Sequence, residues 1–74
     1  MTYYEAKTAI PPYAIFRHYK GNLYKVLAIA KDTETEEPIV IYQDVKKRGI
    51  IWARPASVWF DEVTAGVRRF ERCK

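Results

Sequence analysis

The 74 residues carry 13 Lys/Arg against 9 Asp/Glu, a formal net charge of +4, with 49% hydrophobic and 15% aromatic residues and only three glycines. That composition fits one small globular domain, with no room for both a deep substrate cavity and a full core, and not a disordered segment. One cysteine (Cys73) and one histidine (His18) exclude an internal disulfide framework and a multi-cysteine zinc site, and no apolar run approaches a membrane span.

In chain order, "TAIPPYA" comes first. Pro11 and Pro12 block a helix and extend the backbone before them. Residues 1–13 therefore read as an arm, with a short helical turn at "YYEAKTA" or extended along the body. Residues 14–74 read as the domain. "IFRHYK" alternates, with Phe16, His18 and Lys20 on one face and Ile15, Arg17 and Tyr19 on the other. Gly21 and Asn22 predict a tight turn. "LYKVLAIAK" is apolar on both faces, Tyr24, Val26, Ala28 and Ala30 against Leu23, Lys25, Leu27 and Ile29, as in a central strand.

"DTETEEP" is an acidic turn ending at Pro38, and β-branched "IVIYQDV" is a third strand. "KKRG" is a basic turn whose Gly49 relieves backbone strain, and "IIWAR" is a fourth strand stopped by Pro55. In "ASVWFDEV", Ser57 is placed to cap one helical turn. Only one of Trp59 and Phe60 can then face the core, which leaves the other available to a partner. "VRRFERCK" alternates as a charged closing edge strand. Five short strands with one helical turn before the last describe a mainly β fold, a small SH3-like barrel, with an OB-like barrel as the alternative.

The ordered set R-H-Y-K-G, T-E-T-E-E, V-x-Y-Q, W-x-R-P and a late R-F, spread over residues 15–72, resembles a bacterial family of small domains of unknown function. The resemblance implies an SH3-like β-barrel and no activity. The family usually has a glycine just ahead of R-H-Y-K-G, and this chain has Ala14 near that place. Its approach to the first strand is expected to differ accordingly.

Few residues carry chemistry. His18 reads first as a half-buried strand histidine, then as a ligand-binding group. As a catalytic base it lacks a nucleophile motif beside it. "TETEE" has neither the glycine nor the spacing of a calcium loop, so it reads as a turn held by its own side chains. Trp52 and Arg54, two apart on a strand, share a face. If that face is interior, Arg54 needs a buried partner such as Glu34 or Asp61. If exposed, Trp52, Arg54, His18 and Lys20 form one recognition patch, the guanidinium being suited to a carboxylate or phosphate. Lys46, Lys47 and Arg48 form a basic turn, and Arg68, Arg69, Arg72 and Lys74 a basic last strand. Together with Tyr19, Tyr24, Tyr42 and Trp52 these supply the ingredients of nucleic-acid binding without any recognised motif.

The charge is uneven. Residues 1–37 balance to zero and residues 38–74 hold the whole +4. A basic half points to an anionic partner. The sequence therefore predicts a cytoplasmic, non-enzymatic binding module with no cofactor and no membrane association, its partner being nucleic acid or an acidic protein segment. A protein-interaction or self-association domain, monomeric or weakly dimeric, is the alternative, with Trp59, the arm and the last strand as contacts. An enzyme using His18 is a remote third reading.

Overall fold

The computed structural model describes residues 1–73, so Lys74 lies outside the described residues. A helix, α1 (Tyr3–Ala9), precedes the strands β1 (Ile15–His18), β2 (Leu23–Lys31), β3 (Pro38–Asp44) and β4 (Ile51–Pro55). A 3₁₀ turn at Ala56–Val58 leads to β5 (Glu62–Thr64), β6 (Val67–Arg68) and β7 (Phe70–Arg72). The fold is mainly β, as the turn spacing predicts. One antiparallel sheet runs β4-β3-β2-β1-β7, and β5 and β6 form a separate hairpin. β4 and β7 are the edges of the larger sheet, which is curled but not closed.

The arm takes the helical form. Thr2 Oγ1 accepts from the Glu5 N–H (3.1 Å), and Glu5 Oε1 accepts from the Thr2 N–H (2.7 Å). This reciprocal cap satisfies two amides that a seven-residue helix cannot satisfy itself. Ala6 and Ile10 are fully buried, so the segment belongs to the core and is no appendage. Beyond the prolines, Tyr13 adopts a left-handed backbone (φ 68°) while its N–H donates to the Val26 carbonyl. The approach to β1 thus runs through a left-handed tyrosine, a backbone conformation that L side chains rarely adopt.

β1 is shorter than its alternation predicts. The Gly21 N–H donates to the His18 carbonyl and the His18 N–H to the Asn22 carbonyl, closing a three-residue loop with Gly21 at φ 105°. Lys20 is therefore a loop residue and does not share a strand face with His18. In β2 the alternation breaks. Val26 faces Tyr42, but Ala28 faces Ile41, which leaves Leu27 as the extra residue of a bulge. The bulge flips the faces, so Tyr24, Val26 and Ile29 point inward while Ala28 is exposed. Gly49, expected to relieve strain, is not left-handed.

The last third departs most from expectation. No side chain caps the 3₁₀ turn, so Ser57 does not play that part. Trp59 is 0% exposed and Phe60 packs against the core beside Phe16, so neither is a free contact. "VRRFERCK" is not one strand. Val67 and Arg68 pair with β5, the Arg69 N–H donates to the Asp61 carbonyl, and only Phe70–Arg72 joins β1. The core is aromatic: Trp59 stacks on Phe70 at 3.9 Å and meets Phe16 and Tyr42 edge-on at 5.3 and 5.0 Å.

Candidate functional site

The inner face of the sheet opens at one end into a shallow cup of about 190 Å³, lined by His18, Tyr24, Tyr42, Trp52, Arg54 and Phe70. Strand register puts them there. Tyr42 lies opposite Trp52, Val40 opposite Arg54, and His18 opposite Phe70. With Val40 and Tyr42 buried, alternation turns Trp52 and Arg54 to the same inner face. The face is interior, yet the cup stays open: Trp52 is 47% exposed and Arg54 half-buried. Sequence reasoning set out an interior and an exposed arrangement, and the sheet realises part of each.

Phe70 is central among the aromatics. His18 meets it at 5.0 Å, Tyr42 at 5.8 Å and Tyr24 at 5.9 Å, all edge-on, and the Arg54 guanidinium carbon lies 5.8 Å from its ring centre. Arg54 Nε is shielded from solvent and has no hydrogen-bond partner among the described residues. Neither Glu34 nor Asp61, the partners a buried Arg54 calls for, bonds to it. A donor kept from water without a partner is held at an energetic cost.

His18 Nδ1 accepts the Lys20 N–H at 3.2 Å. That contact assigns the neutral imidazole proton to Nε2. Burial first, then the charges of Arg54, Arg69 and Lys20, holds its pKa below the usual 6.5. The side chains lining the cup thus offer the Arg54 fork, an imidazole N–H and the hydroxyls of Tyr24 and Tyr42, with no carboxylate among them. Such a set suits an anion.

Of the predicted site residues, His18, Trp52 and Arg54 come together. Lys20 does not join them, its Nζ lying over the Tyr19 ring at 5.8 Å. Lys46 and Lys47 are tied by their N–H groups to Asp44 Oδ1 (2.7 and 2.9 Å), and Arg48 Nε donates to the Val45 carbonyl. This exposed β3–β4 loop borders a different hollow, one lined by Lys46, Arg17, Gly21 and Asp44. Phe70 was missed, because its place depends on the distant β1–β7 pairing. Tyr24 and Tyr42 were noted as aromatics but not as cup walls, although each shares a face with a buried valine on its own strand. Asp32 Oδ1 accepts from the Glu34 and Thr35 amides (2.8 and 3.1 Å), so "DTETEE" is a turn held by its own side chains, as its composition suggests. Among the described residues, no three His, Cys, Asp or Glu are grouped to hold a metal, and no helix is long and apolar enough to cross a membrane.

The family model for a protein of unknown function, DUF1653, matches residues 14–72. Among solved structures, the crystal structure of a DUF1653 protein from Bordetella bronchiseptica is 33% identical, with a TM-score of 0.62 over 76% of this chain and 78% of that one. No curated protein matches. The chain belongs to the DUF1653 family of proteins of unknown function.

Proposed function

We propose that the chain is a non-catalytic binding module for an anionic partner, and that the cup between β1, β4 and β7 is its site. The observation that carries this reading is Arg54, a half-buried guanidinium with an unbonded Nε in an aromatic cup that no carboxylate lines. Arg54, Arg69 and Lys20 all stand near enough to His18 to disfavour its protonation, and cations gathered there favour an anion. The exposed ring of Trp52 offers a planar surface to whatever enters.

The test is binding of a glutamate-rich peptide, single-stranded DNA and RNA, and duplex DNA at low and high salt, with Trp52 emission as the readout and Trp52→Phe as the control. At least one anion is expected to bind at low salt, weaken as salt rises, and weaken by about tenfold in Arg54→Gln, the loss of a charged hydrogen-bond pair. No binding at low salt, or equal binding by Arg54→Gln, would overturn the reading.

A further inference from the structure

We infer that the partner is an extended acidic peptide segment, which adds as a strand to the free edge of β4 and sets a carboxylate into the cup. This rests on the anion-binding reading of the cup and deepens it. The two edges of the sheet differ. β7 is three residues long and, beyond the buried Phe70, shows charged Glu71 and Arg72, the usual protection of an edge. β4 is five residues long, and its protecting residues, Arg54 and Pro55, stand only at its end. Ile50, Ile51 and Trp52 are 56, 61 and 47% exposed in succession, and Ala53 is exposed as well.

β4 pairs with β3 alone among the described residues, so its other row of amides and carbonyls is open. A strand laid along it gains main-chain hydrogen bonds, up to Pro55, which has no N–H to give. Every second side chain of that strand falls on the cup side, beside Trp52 and Arg54, within the roughly 4.5–5.5 Å spacing of cross-strand neighbours. A carboxylate there meets the half-buried guanidinium of Arg54. The intervening side chains lie beside Ile51 and Ala53 and are apolar. Lys47 and Arg48, exposed in the loop before β4, extend the preference for acid past the strand's start. Charge and edge therefore select the same ligand, acidic and apolar in alternation. A nucleic acid would use the charges but not the open backbone.

The experiment follows a capped, fluorescein-labelled peptide of about eight residues, alternating glutamate and valine, by anisotropy. Two derivatives carry N-methyl groups on either every glutamate or every valine nitrogen. Only one set of amides can face β4, so one derivative is expected to lose about tenfold or more in affinity and the other to bind nearly as the parent. Arg54→Gln is expected to lose about tenfold as well, and Arg54→Lys, which keeps the charge without the fork, less. A circular dichroism spectrum like that of the unsubstituted protein shows that each variant is folded.

Equal binding of both methylated derivatives, with loss in Arg54→Gln, overturns strand addition while the cup reading stands. Unchanged binding by Arg54→Gln overturns both. Displacement of the peptide by single-stranded DNA at lower concentration assigns the cup to nucleic acid and overturns the peptide proposal. A dimer in sedimentation that the peptide cannot dissociate gives the β4 edge to a second copy, with the same consequence.

Discussion

His18 is held neutral by burial and by three neighbouring cations, and this gives stability a pH dependence. Its folded-state pKa lies below 6.5, so the unfolded chain binds the proton first as pH falls. Stability is therefore full above about pH 6.5 and declines below it. In His18→Asn, denaturant unfolding should show that decline removed. Glu5 and Asp44, whose pKa values are also lowered, act only from the ordinary carboxylate range downward and leave the window near 6 to His18. A slope near pH 6 that survives the substitution would contradict this assignment. Tyr13 offers a second test. It is 73% exposed at φ 68°, so its side chain adds little packing and its backbone is strained. Tyr13→Gly should stay within about 1 kcal/mol of the parent, whereas Tyr13→Val, β-branched, should destabilise by about 1–2 kcal/mol.

Elements were legible where alternation or turn chemistry was strong. β2, β3 and β4 fall where "LYKVLAIAK", "IVIYQDV" and "IIWAR" place them, because β-branched runs bounded by Gly, Pro and Asp leave little choice. The bulge at Leu27 was not legible, since both faces of β2 are apolar and the pattern allows either register. Nor was the break at Arg69, because "VRRFER" alternates well enough for one strand, and only the Asp61 and Tyr19 hydrogen bonds divide it. Helix α1 was one of two options, its capping box being the decisive signal that went unused. It sits ahead of the family match, yet Ile10 is fully buried beside Phe16 and Val26 in one core. Ile10→Ala should cost about 2–5 kcal/mol in urea unfolding, a large share of the stability of a small domain. A cost under about 0.5 kcal/mol would mean that α1 is an appendage after all.

Over the whole molecule, a chain too small for a deep cavity opens the mouth of its own core into a shallow cup. Phe70 shows the economy: Trp59 stacks on it within the core, while His18 and Arg54 meet it at the cup. Sequence reasoning paired Trp52 with Arg54 from their spacing alone. It set His18 beside them only as one of two arrangements, could not bring in Phe70, whose place depends on β1 joining β7, and could not exclude Lys20, Lys46, Lys47 and Arg48, which do not line the cup. The net charge of the second half is thus divided among several surfaces, and only Arg54 of it lines the cup. The most direct test of the account is a two-dimensional nitrogen–proton spectrum recorded while the alternating glutamate–valine peptide is titrated. The account predicts shifts clustered at His18, Tyr24, Tyr42, Trp52, Arg54 and Phe70, and their loss in Arg54→Gln. Shifts confined to Lys46–Arg48 or to Arg68, Arg69 and Arg72, with the cup unmoved, would contradict it.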